Sequence, residues 1–153
     1  MFKWQLRRRI RKIVGDAVKL KNKHTAERRA AVNYVCIFSQ NESEHASLVL
    51  IAKKIGTALE TTPTGPLYRI RLRTDAGLLQ VLKIRLPDKT RTERGDADFT
   101  VRDYTEFKKR YLGKPGFRLI ESKDYEMIEL IDAAATVRAY FSNPPIDRQL
   151  GLI

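Results

Sequence analysis

The sequence predicts an α+β fold in which two copies of a β-α-β-β-β unit form a curved mixed sheet behind a basic N-terminal helix. Three observations carry this. A strand, a capped helix and a glycine occur in that order twice, about sixty residues apart, which is the mark of an internal duplication. Three further strand candidates follow each copy. Most of the positive charge lies ahead of both.

The N-terminal segment comes first. Phe2, Leu6, Ile10, Ile13, Ala17 and Leu20 recur at spacings of three or four, the signature of a helix with one apolar stripe. Arg7, Arg8, Arg9, Arg11 and Lys12 cluster mainly off that stripe. Gly15 weakens the helix without having to end it. Residues 21–29 are polar, suiting a helical extension or a tether. This divides the chain into a basic amphipathic helix and tether, 1–30, and a single globular domain, 31–153.

Unit one spans 32–87. Asn33 to Gln40 reads as a largely buried strand. Asn41 with Glu44 three residues on forms a capping box, satisfying the first orphaned amides of a helix that buries Leu48, Ile51, Ala52 and Ile55. Gly56 is placed to end it as the C′ residue. Strands follow at 57–61, 67–73 and 78–86, the last two joined by the turn Thr74-Asp75-Ala76-Gly77. The charged stretch Pro87 to Gly95 is the connector. Its Arg94-Gly95-Asp96 triplet reads as coincidence rather than as an adhesion motif.

Unit two spans 95–142. A short strand, 96–101, precedes Asp103 and Glu106, which repeat the capping pattern, and Tyr104, Phe107 and Tyr111 form the helix stripe before Gly113. Strands are expected at 116–121, 125–131 and 136–142. The tail, 143–153, begins Asn143-Pro144-Pro145 and cannot extend a sheet. It is expected to lie over the surface, with Leu150, Leu152 and Ile153 docking on something apolar.

Composition narrows the classes. With 42% hydrophobic and 31% charged residues the chain is too apolar to be disordered. No apolar run approaches a membrane span, and cations interrupt every candidate secretory signal. The single Cys36 sits in the run Val35-Cys36-Ile37-Phe38, where a thiol behaves as a small buried hydrophobe. His24 and His45 are the only histidines, so no zinc-type spacing exists. A reducing, cytoplasmic setting is expected. Residues 1–30 hold 11 of the 30 Lys and Arg against two acids, an excess of +9 out of the total +12. Such a helix can pack its stripe on the domain and solvate its charges, contact nucleic acid or a ribonucleoprotein, or lie on an anionic membrane or acidic protein.

Strand parity sorts the polar residues by face. Tyr68, Ile70 and Leu72 oppose Arg69, Arg71 and Arg73, and Leu82, Ile84 and Leu86 oppose Lys83 and Arg85. In unit two, Asp96 and Asp98 alternate with Ala97, Phe99 and Val101, and Arg138 and Tyr140 with Val137, Ala139 and Phe141. These polar faces suit a solvated sheet face of paired charges, an anion-binding cup, or a basic surface for nucleic acid. Sparse aromatic residues count against a single-strand binder. Glycine-rich phosphate loops, nucleophile elbows and zinc-protease motifs are all missing from the sequence.

This order resembles the vicinal oxygen chelate superfamily of glyoxalases, bleomycin-resistance proteins and extradiol dioxygenases, over residues 32–142. The resemblance rests on the doubled unit, on Asp98-Phe99-Thr100-Val101 before a capped helix, and on Glu129-Leu130-Ile131-Asp132 before the final strand, Val137 to Phe141. A ferredoxin-like arrangement remains an alternative. The resemblance implies a half-open cup with metal-ligand positions at Asn33, Lys83, Asp96 and Tyr140. Lysine is a cation and only Asp96 is an ordinary carboxylate donor, so no metal or other cofactor is expected, and no metal-dependent isomerase or dioxygenase activity. The leading expectation is a metal-free binding protein that holds an anionic small ligand or partner through Arg69, Arg71, Lys83 and Arg85, with Asp96, Arg138 and Tyr140 beside them. The alternatives are a nucleic-acid or ribosome-associated protein using Arg7, Arg8, Arg9, Arg11 and Lys12, and a metal-independent enzyme using Asp96, Asp98 or Tyr140. A homodimer is favoured.

Overall fold

The computed structural model describes residues 1–152; the expected docking of Ile153 lies outside the described residues. The chain runs α1 (Lys3–His24), β1 (Ala31–Phe38), α2 (Glu42–Ile55), β2 (Thr57–Thr62), β3 (Gly65–Thr74), β4 (Gly77–Arg85), β5 (Gly95–Thr100), α3 (Tyr104–Tyr111), β6 (Phe117–Glu121), β7 (Glu126–Leu130), β8 (Val137–Asn143) and α4 (Ile146–Gln149). The β-α-β-β-β order therefore occurs twice. Both helix starts are capped as their sequences require: the Asn41 side chain accepts from the Glu44 amide at 2.8 Å, and Asp103 from that of Glu106 at 3.1 Å.

All eight strands form one sheet in the order β2-β3-β4-β1-β5-β8-β7-β6. Within each unit the first strand pairs parallel with the last, β1 with β4 and β5 with β8. The units meet at β1 and β5, which pair antiparallel with Cys36 opposite Asp96 and Tyr34 opposite Asp98. Gly56 and Gly95 serve close approach. A Cβ at Gly56 would collide with the Arg69 carbonyl oxygen and one at Gly95 with that of Cys36. Gly56 has an extended backbone, φ −151°, so it ends α2 without the left-handed turn expected of a C′ residue. The Arg94-Gly95-Asp96 triplet enters this seam with Gly95 and Asp96 buried, which no adhesion loop would allow.

The core lies between one face of the sheet and helices α1, α2 and α3. From α1, Leu6, Ile10, Ile13, Val14, Ala17 and Leu20 are all buried. Burial of that stripe contributes on the order of 10 kcal/mol before ordering costs. Phe2 leaves the stripe: it is the N-cap residue, 68% exposed. The helix continues through Gly15 to His24, and Lys21 is fully buried, its ammonium donating to the Glu27 carbonyl and the Asn22 amide oxygen. At the C-terminal end of α1, Lys23 and His24 hold Asp132 at 2.8 and 2.9 Å. These bonds keep the Asp132 carboxyl well below the usual carboxylate range. The tail does more than cover surface: after Pro145 it makes the short α4, and the Ile146 amide donates to the Asn33 side-chain oxygen at 3.3 Å.

Candidate functional site

The other face of the sheet carries a cleft of about 420 Å³ at the junction of the two units. Such a volume admits a small organic molecule. Each wall has a different chemistry. β4 supplies Lys83 and Arg85, and the connector adds Arg91. β5 supplies Asp96 and Asp98 along the floor, while Ile120 of β6, Met127 of β7 and Leu150 after α4 make an apolar side.

The floor is built by alternation. In the β1–β5 and β5–β8 registers, Asp96 lies beside Cys36 and Arg138, and Asp98 beside Tyr34 and Tyr140. The Cys36 thiol is pushed far up by burial and by neighbouring Asp96, which makes it an inert part of the floor. Asp98 is fully buried and saturated: it accepts from Asn33 Nδ2 at 3.0 Å, from the Ser142 amide at 3.2 Å and from the Ser142 hydroxyl. Burial raises its pKa to about 6 against the pull of those donors. Asp96, only 6% exposed, differs. Burial and then the Asp98 charge raise its pKa to about 7, against the opposing effect of Arg91, Lys83 and Arg85. Its Oδ1 has no hydrogen-bond partner. Among the described residues just one other buried side-chain polar atom shares that condition, Nε of Arg85, and both residues line this cleft. A buried polar atom without a partner costs about 1–3 kcal/mol.

The neighbouring charges are spent internally. Arg138 donates through Nε to Glu93 Oε2 at 2.7 Å and through Nη1 to Glu129 Oε2 at 3.2 Å. Tyr140 donates to the same Glu129 oxygen at 2.6 Å, and Arg118 reaches its other oxygen at 3.1 Å. The Lys83 ammonium donates to the Thr64 hydroxyl, and burial, with Arg85 and Arg91 nearby, lowers its pKa.

Of the residues expected at the cup, Lys83, Arg85, Asp96 and Tyr140 come together. Arg138 is held in ion pairs. Arg69 and Arg71 point to solvent and do not line the cleft. They have the parity of the cup face but lie farther along β3 than Leu67, which does line it. The helix cations Arg7, Arg8, Arg9, Arg11 and Lys12 lie away from this cleft altogether. Arg91 and Glu93 had no signal in sequence, since a charged connector ordinarily reads as solvated.

Two strand-helix-three-strand units, each closed by a parallel first and last strand and joined back to back, enclose a cleft on their common concave face. This arrangement is consistent with the fold that the glyoxalase resemblance implies. A structural-genomics protein designated EC4020 matches it with a TM-score of 0.71 at 9% identity, covering 94% of this chain and 88% of that one. A glyoxalase/bleomycin resistance protein/dioxygenase superfamily member from Vibrio splendidus 12B01 gives a TM-score of 0.45 at 7% identity, over 74% of this chain and 97% of that one. The hypothetical protein BH1468 from Bacillus halodurans C-125 gives 0.42 at 11% identity, over 74% and 93%. No protein family and no curated protein matches the sequence.

A divalent metal needs donors that this cleft does not offer. Of the four positions that the resemblance implies, Asn33 is bonded to Asp98 and Thr100, Lys83 is a cation and Tyr140 keeps its proton on Glu129. Asp96 alone has a free carboxylate oxygen, and it faces three cations. The donor set does not fit a divalent ion.

Proposed function

We propose that the protein binds a small anionic molecule with an apolar body in the cleft between its two units, without a metal. The observation that carries this is the coincidence of the two unpartnered buried polar atoms, Arg85 Nε and Asp96 Oδ1, in one cleft. Arg85 offers a donor to a carboxylate or phosphate oxygen, reinforced by Lys83 and Arg91. Asp96 accepts from a ligand hydroxyl or amine when ionised and donates when protonated. The apolar wall of Ile120, Met127 and Leu150 receives the rest of the molecule.

The test is a thermal-shift screen of small carboxylates and phosphates. A binder should raise the melting temperature of the wild-type protein and of Arg71→Ala, whose changed side chain is outside the cleft. It should weaken at least about tenfold for Arg85→Ala, the loss of one charge-assisted hydrogen bond. A ligand that stabilises Arg85→Ala as well as wild type, or a screen in which nothing binds, refutes the proposal.

A further inference from the structure

The N-terminal end of α1 carries a surface that neither the core nor the cleft uses. Phe2 is 68% exposed, Trp4 57% and Leu50, on the neighbouring α2, 62%. Phe2 and Trp4 share a shallow depression with Lys3, Arg7 and Lys54, and Leu50 stands one helical turn before Lys54. Along α1, Trp4, Arg8 and Arg11 follow at intervals of four and three, which puts them on one outward stripe opposite the buried Leu6 and Ile10. The first fifteen residues contain no acid. Near this end of the helix Glu44 of α2 is taken by Arg9 at 3.6 Å. Arg11 donates to the Arg73 carbonyl and Lys12 pairs with Asp16, whereas Arg7 and Arg8 enter no ion pair among the described residues.

We propose that this end of the molecule docks on the surface of a bilayer containing anionic phospholipid, with Phe2, Trp4 and Leu50 entering the interface and Lys3, Arg7, Arg8 and Lys54 contacting lipid phosphates. Charge complementarity selects an anionic partner. The exposed apolar groups select a bilayer over a nucleic acid, because a phosphate backbone offers nothing to bury Leu50 and Phe2 against, while the bilayer interface accepts aromatic and aliphatic side chains between its headgroups. Tryptophan beside arginine is the pairing that interface favours. No helix of the described residues is long and apolar enough to cross a membrane, so the attachment is peripheral and reversible.

Trp4 is the only tryptophan and reports directly on this contact. The full chain is titrated with vesicles of phosphatidylcholine alone and with a phosphatidylglycerol mixture. With the anionic vesicles, Trp4 emission should shift to the blue and resist acrylamide quenching, and added salt should reverse both. Neutral vesicles should leave it unchanged. The pair Arg7→Glu and Arg8→Glu should weaken binding at least about tenfold, since each basic side chain near an anionic surface contributes several-fold. Phe2→Ser with Leu50→Ser should abolish the blue shift while the circular dichroism spectrum stays that of wild type, because both side chains are exposed. The proposal is overturned if anionic vesicles leave Trp4 exposed, if neutral vesicles bind equally well, or if the apolar variant binds unchanged. It is likewise overturned if RNA or DNA oligonucleotides bind while the anionic vesicles do not.

Discussion

The two units share a chain path but treat their polar faces in opposite ways. In unit two nearly every buried charge is answered within the protein: Glu129 by Arg138, Arg118 and Tyr140, and Asp98 by Asn33 and Ser142. In unit one the corresponding strand end carries Lys83, bonded to Thr64, and Arg85, whose Nη2 lies 3.6 Å from Asp88 but whose Nε is buried without a partner. The duplicated backbone therefore supports a self-satisfied half that contributes stability and an incomplete half that leaves capacity for a ligand. Asp96 belongs to the first by sequence and to the second by its unpartnered oxygen.

Removing groups one at a time tests that contrast. The largest effect is expected from Glu129→Ala, which leaves Tyr140 without its acceptor and Arg138 with Glu93 alone beside a cavity, and should destabilise the protein by about 3–5 kcal/mol in urea denaturation. A loss below about 1 kcal/mol would show that unit two is not held by this network.

Asp96 and Asp98 should give the next largest effect, through pH. Their folded-state pKa values of about 7 and about 6 lie above those of an unfolded chain, so the folded protein holds protons that the unfolded one has released. The contribution of these two groups to stability is then greatest near about pH 4 and falls as pH rises through about 7. Asp96→Asn should remove the upper part of that fall and exceed wild type by on the order of 2 kcal/mol at about pH 8, with little difference near about pH 4. An Asp96→Asn protein no more stable than wild type at about pH 8 would contradict the raised pKa that burial and Asp98 give Asp96.

The smallest effect is expected from Arg85→Met. Arg85 is half-buried, its Nε has no partner and its Nη2 meets only Asp88, at 3.6 Å, so an apolar side chain of similar length should leave stability within about 1 kcal/mol of wild type or raise it. Equilibrium unfolding decides this, and a loss as large as that of Glu129→Ala would erase the difference between the units.

Much of this architecture was legible in the residues themselves. The alternation of Tyr68, Ile70 and Leu72 with arginines, the caps at Asn41 and Asp103, and the repeated order of elements come from local physics that tertiary context did not override. The site was legible only in part. Parity assigns Arg69, Arg71, Lys83 and Arg85 to one face, yet it says nothing of distance along a strand, and two of the four fall beyond the cleft. Arg91 reaches it because the connector folds back over the sheet, where Glu93 pairs with Arg138, far away in sequence. Phe2 fits the helical spacing of the stripe but stands at the cap, before the helix begins.

The β1–β5 seam has a consequence for assembly. It is the one antiparallel contact between the units, and two identical units related by a two-fold axis would make the same contact. A fragment ending in the connector would present the whole of β1 as an unpaired edge and should find its partner in a second copy of itself. The α1 helix opposes this exchange, because it touches strands of both units, β1 and β3 on one side and β5 and β8 on the other. It acts as a clasp across the join, and shortening it from its buried end is the change most apt to turn one chain into an intertwined pair.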